Sequence, residues 1–511
     1  MNRLFRVKSL DQLVGDTKRP ELQLRRTLGP LQLTFLGIGA IVGAGIFSTV
    51  GAAAAGGDGH AGAGPALAVS FLIVAVACGF AALCYAEFAA MVPVSGSAYT
   101  YAYATLGELI AWIIGWDLIL EYAIGNVAVA ISWSAYFQQL LGGLGLPLPA
   151  WLGTDFRSAL QAAHQVAQAH ALPAALAALD PGVLRDAHAL ADAPRWLGVP
   201  IIFNLPAFAI VAGITWILVL GIRESAGFNT TFVILKLATI AFFLVLGAKY
   251  VKPANWTPFA PNGLAGISSA AAIIFFAYIG FDAVSTAAEE ARNPQRDMPI
   301  GIIASLIACT VIYVAVAVVL TGLAKWNTLD TPEPLASVFA ALGMNWTAGI
   351  ISAGALMANT SVLIVFQLGQ PRIFFSMARD GLLPPWAARV HPRYRTPHVT
   401  TILTGVFVAA FAAVTNINEM VELTNIGTLF AFILVAVGIV VLRRTDPARA
   451  RPFRTPWVPW VPLGAVLSCG YLMAELPRVT WERFVIWLVI GLGFYFGYGV
   501  NRSRLNEGSR R

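Results

Sequence analysis

The chain has 511 residues, of which 58% are apolar and only 12% charged, and its formal net charge is +7. Soluble domains carry roughly 45–50% apolar and about 25% charged residues, so this balance excludes a cytosolic enzyme, a secreted disulfide scaffold and a disordered chain. The basic excess would suit a nucleic-acid binder only if it gathered on a soluble unit, and it does not.

In chain order, residues 1–30 form a basic segment with seven Lys and Arg and no apolar run of the signal-peptide kind. Leu4, Phe5, Val7, Leu10, Leu13 and Val14 suit either an amphipathic helix on the membrane surface or a solvated basic tail. A stretch of about 20 apolar residues crosses the roughly 30 Å hydrocarbon core. Twelve such stretches follow, at 31–55, 65–91, 107–141, 205–221, 227–248, 267–288, 299–323, 345–377, 398–415, 420–442, 457–476 and 484–500. An even number returns both termini to one side. That side carries 24 of the 33 Lys and Arg, the other side carries 8, and Lys236 lies within a span. The positive-inside rule therefore places both termini, including the tail 501–511, in the cytoplasm. The basicity is topogenic, and no nucleic-acid partner is indicated.

Residues 142–204 form an extracytoplasmic insert, predicted to be a helical cap. His164, His170 and His188 have no nearby Cys and no ligand spacing, so no metal is expected there. Cys78, Cys84, Cys309 and Cys469 all fall within spans, show no CxxC spacing, and serve as small packing residues.

Two spans have interrupted patterns. The first, LTFLGIGAIVGAGIFSTVGAAAAG, places Gly37, Gly39, Gly43 and Gly45 at mid-membrane; the sixth, ISSAAAIIFFAYIGFDAVSTAAEEA, centres on Gly280 and Asp282. Taken alone, the glycines suit close helix packing, but a second break five spans later favours unwound backbone. Unwound backbone and an intramembrane carboxylate must both face a polar interior. There, freed N–H groups suit an anion and freed carbonyls suit a cation, a pair complementary to a zwitterionic amino acid. Breaks at spans one and six also signal two inverted five-helix repeats.

Other charges lie deep. Lys236 is too far from either end of its span to snorkel. Desolvation taxes its charged form, so it is either a proton carrier or a permanently paired structural lysine. Asp117 and Glu121 are i, i+4 and share one helix face. Glu87 and Glu108, near span ends, are expected close to water in structural or gating roles. Residues 289–299 and 372–381 mix both charge signs, as an inner gate or as topogenic caps. No HExxH, GxSxG or P-loop is present, so neither catalysis nor a cofactor is expected, and any transport must draw on a gradient.

The motifs GIGAIVGAGIF, FFAYIGFDAVSTAAEEARNPQRDMPIGI from Phe275 and GQPRIFFSMARDGLLP from Gly369 resemble the amino acid–polyamine–organocation superfamily. The likeness is to bacterial members of its cationic amino acid transporter family, which live in the inner membrane. It implies an all-α LeuT-type fold, with inverted repeats over about 31–250 and 264–442 and two further helices within 457–500. It also implies secondary amino acid uptake. On matching positions, the resemblance puts the substrate carboxylate on the N–H groups of Ala44 and Gly45, beside Gly43. The ammonium would meet the carbonyls of Ile41, Phe276, Ala277 and Ile279. Phe276 corresponds to an aromatic gate, or else is a core aromatic, and Lys236 corresponds to the place where sodium sits in sodium-coupled cousins. Glu121 would attract a cationic side chain, partner Lys236 or carry a proton, and the resemblance does not choose among these.

Overall fold

The computed structural model describes residues 3–8, 28–57, 60–92, 97–169, 181–221, 226–394 and 396–506. It is all-α apart from two two-residue hairpins, β1/β2 (Gly56–Gly57 with His60–Ala61) and β3/β4 (Arg195–Trp196 with Val199–Pro200). The first span is a bent pair, α1 (Pro30–Ile41) and a Gly45–Ala55 half that ends in α2 (Val50–Ala55), inclined at 45°. Next come α3 (Leu67–Met91), α4 (Ser97–Thr105) and α5 (Glu108–Gly143). The insert supplies α6 (Phe156–Ala169) and α7 (Pro181–Asp192). Helices α8 (Leu205–Leu220), α9 (Ala226–Gly247) and α10 (Gly263–Ile274) follow, α10 being the first half of the sixth span. The chain continues through α11 (Pro294–Leu323), α12 (Pro334–Ala341), α13 (Asn345–Arg379), α14 (His398–Val414), α15 (Ile417–Thr445), α16 (Trp460–Ala474) and α17 (Arg478–Phe494).

Among the described residues, eight helices are long and apolar enough to cross a membrane, the bent pair makes a ninth, and α8, α14 and α16 are shorter apolar helices. These fall on the twelve stretches of the sequence. Helices α4 and α12 were not anticipated, because SAYTYAYAT is too polar, and PLASVFAA too short, to register as a span.

Enclosure sorts the helices. Helix α5 packs against α13 and α15 and is buried along nearly all its length, while α11 packs against α3 and α1. Large apolar side chains stay exposed on outward faces, among them Trp216 on α8, Val245 on α9, Val311 on α11 and Val489 on α17. In water such a belt would be a liability; against lipid tails it is the stable arrangement. All four cysteines are buried.

The described part of the insert is largely helical. Helices α6 and α7 pair over a small apolar core of Ala159, Ala189, Ala193 and Ile202. The cap is held to the bundle by Gln138 Nε2 of α5 donating to the Gly153 carbonyl (2.8 Å) and by Arg157, which grips Glu419 of α15 through both oxygens (2.7 and 2.8 Å). Arg483 of α17 reaches the same carboxylate at 3.2 Å. Of the insert histidines, His170 lies outside the described residues, and no group of three metal-ligating side chains occurs among those described.

Of the basic N-terminal segment, residues 3–8 and 28–30 are described, with the rest of the expected amphipathic helix outside the described residues. Residues 3–8 lie along the bundle: Lys8 N–H donates to the Tyr103 carbonyl and the Glu108 N–H donates to the Arg6 carbonyl, both at 3.0 Å.

Glu87 and Glu108 correct the expectation that span ends are wet. Glu87 is fully buried and holds Arg443 in a two-point grip (2.9 and 2.7 Å), the Thr455 N–H (2.7 Å) and Arg451 (3.3 Å). Glu108 is buried under the hydroxyls of Tyr495 (3.0 Å), Ser503 (2.5 Å) and Tyr103 (3.3 Å). In both cases segments from the far end of the sequence fold over the carboxylate and replace its water.

Candidate functional site

The site is built from backbone. After Ile41 the first span leaves the helix: Val42 is extended, and the Ile46 and Phe47 N–H groups both turn to the Gly43 carbonyl (3.1 and 3.2 Å). A continuous helix would have paired the Gly39 carbonyl with Gly43 and the Val42 carbonyl with Ile46. Here Lys236 of α9, fully buried, donates its Nζ to Gly39 O at 2.8 Å and to Val42 O at 2.9 Å. A cationic side chain thus satisfies the carbonyls that the break released.

The sixth span breaks opposite. After α10 a single turn, Phe275–Tyr278, leads to extended Ile279 and then to Gly280 at φ +121°, before a tight helical run over Asp282–Glu290. Only glycine adopts that backbone freely, and a Cβ there would lie 2.8 Å from the Ala40 carbonyl. A Cβ on Gly45 would likewise run into the Ala277 backbone. The glycines therefore let the two breaks abut, and Ile41, Gly43, Ala44, Gly45, Phe276, Ala277 and Ile279 come together as buried residues within or beside them.

Neutral polar side chains fasten this junction. Tyr313 of α11 shares its hydroxyl between the Ile41 carbonyl (3.1 Å) and the Ala277 carbonyl (2.9 Å), one from each break. Asn425 of α15 donates to the Ala272 and Ile273 carbonyls (2.8 and 3.0 Å). Ser48, Ser132 and Asn359 link the first span, α5 and α13, at 2.5 Å between the two hydroxyls and 2.8 Å from Asn359 Nδ2 to Ser132 Oγ. Tyr136 donates to the Phe47 carbonyl. Val362 of α13 closes on Gly43, where an added Cβ would lie 2.7 Å from it.

The three carboxylates form a second group. Glu121 lies near the Thr428 hydroxyl and the carboxylates of Asp282 and Asp117, while Asp282 is buried with its Oδ1 lacking a hydrogen bond among the described residues. Asp117 is buried with neither oxygen hydrogen-bonded among the described residues. No ion pair joins Glu121 to Lys236 among the described residues, since the lysine is spent on the first break. In the motif at 372–381, Asp380 meets Lys8 (3.1 Å) and the Tyr99 hydroxyl (2.8 Å).

A family model described as "Amino acid permease" matches residues 28–495. The chain is 46% identical to the branched-chain amino acid permease BcaP of Bacillus subtilis (strain 168), over 99% of both chains. It is 43% identical to the methylthioribose transporter of the same organism, over 99% of this chain and 100% of the relative. Vacuolar cationic amino acid transporter 4 of Arabidopsis thaliana is 36% identical, over 88% of this chain and 68% of its own length. All three are named as permeases or transporters rather than enzymes.

Proposed function

This chain belongs to the amino acid permease family, and from that premise we propose that it carries a neutral, branched α-amino acid across a bacterial plasma membrane, by alternating access coupled to protons. In this reading the spans form a LeuT-type bundle with repeats over about 31–250 and 264–442, and both termini are cytoplasmic. One observation supports it above the others: two broken spans abut through Gly45 and Gly280, with carbonyls released by the first held by Lys236 and one carbonyl from each break held by the Tyr313 hydroxyl. N–H groups near Ala44 and Gly45 would take the carboxylate and carbonyls of the sixth break the ammonium. The side chain would be left to an apolar wall such as Val362, Ala358 and Ala355. The name of the 46% relative supports the same class of side chain.

Lys236 suits proton coupling for a structural reason. It has no carboxylate partner among the described residues, only two carbonyls. A neutral amine keeps two N–H donors for those two carbonyls, so the proton can leave without dismantling the break.

Purified protein in liposomes, under an imposed pH gradient, should concentrate labelled leucine, isoleucine or valine, and Lys236→Met should lose that accumulation while remaining folded. Accumulation by Lys236→Met at the unmodified rate would overturn the coupling. Uptake that needs amino acid on both sides would replace symport with exchange. The 43% relative motivates competition by methylthioribose, which lacks both charged ends; displacement of leucine by methylthioribose, but by no amino acid, would overturn the substrate class.

A further inference from the structure

We propose a binding site for an anionic phospholipid on the outward face of α11, separate from the transport path. A groove of about 670 Å³ runs there between the first three turns of α11 and the loop that follows α15, lined by Arg296, Ile300, Ile303, Ile307, Pro452 and Phe453. Its long axis is apolar: Ile300 to Ile307 covers about 10 Å of helix at 1.5 Å per residue, and both Ile300 and Ile307 are exposed. In a bilayer such a cleft fills with an acyl chain, because a void there forfeits dispersion contacts.

Its mouth is cationic. Arg296 is exposed and its guanidinium forms no ion pair or hydrogen bond among the described residues, and Arg454, exposed, follows Phe453 directly. The nearest acid in sequence, Asp297, is turned inward, where its Oδ2 accepts from the Asn293 N–H at 3.1 Å. A planar guanidinium at the end of an apolar cleft matches a phosphate at the head of an acyl chain, through paired charge-assisted hydrogen bonds. The side on which it opens carries most of the chain's Lys and Arg, so charge complementarity selects an anionic over a zwitterionic headgroup. The inference does not depend on which substrate is carried.

Native mass spectrometry of the detergent-purified full chain, titrated separately with dioleoylphosphatidylglycerol and dioleoylphosphatidylcholine, tests this. Retention of one phosphatidylglycerol in preference to phosphatidylcholine by about fivefold is expected for one well-placed arginine. R296Q should erase that preference, lowering phosphatidylglycerol retention more than phosphatidylcholine retention, whereas I307W, which fills the cleft from an exposed position, should lower retention of both. Equal retention of the two lipids, or an unchanged preference in R296Q, would overturn the proposal. Displacement of phosphatidylglycerol by millimolar inorganic phosphate would also overturn it, by showing a free-anion site without a role for the chains.

Discussion

At the scale of single residues, the junction between the breaks depends on atoms that must be absent as much as on those present. Gly280→Ala would place a methyl group against the Ala40 carbonyl on a backbone at φ +121°. Such strain costs about 1–3 kcal/mol. Each 1.4 kcal/mol is about a factor of ten, so uptake in liposomes should fall by about fivefold to a hundredfold with membrane insertion intact; uptake within twofold of the unmodified protein would show that the breaks need not touch. Tyr313→Phe removes one hydroxyl from two buried carbonyls. The expected destabilisation is about 1–3 kcal/mol, measured as a lowered unfolding temperature in detergent. The charged residues of the site were legible in the sequence, since Lys236, Asp117, Glu121 and Asp282 stand out in apolar runs. Tyr313, Asn425 and Ser132 were not. Neutral polar side chains are unremarkable in a span, and their partners are far away in the chain, 272 residues for Tyr313 and Ile41.

At the scale of elements, the paired glycines and the order of the spans showed where the helices break, because unwound backbone requires small residues and a polar surround. The burial of span ends was not legible. Glu87 resembles a water-level carboxylate until Arg443, 356 residues on, and the Thr455 N–H close over it. This grip fastens α3 to α15 and to the loop beyond it. Removing one member of a buried pair leaves the others uncompensated and costs about 3–5 kcal/mol. Glu87→Gln should therefore lower the unfolding temperature sharply. Arg478→Ala breaks a bridge to Glu482 that is exposed on both sides, and should change stability by about 0–1 kcal/mol. Equal effects of the two substitutions in the same thermal-unfolding assay would contradict the buried grip.

For the whole molecule, the asymmetry of basic residues predicts the orientation: a single added cysteine after Arg504 and one at an added N-terminal tag should both resist a membrane-impermeant thiol reagent in intact cells and react after lysis. A cysteine at Gln161, exposed on α6, should react in intact cells. The opposite pattern would invert the protein. The cap adds a practical consequence. Its fastenings run through Gln138, Arg157 and the shared Glu419 to α5, α15 and α17, away from the two broken spans. An antibody fragment raised against α6 and α7 would grip a handle fixed to α5, α15 and α17, and would serve as a fiducial for imaging the protein.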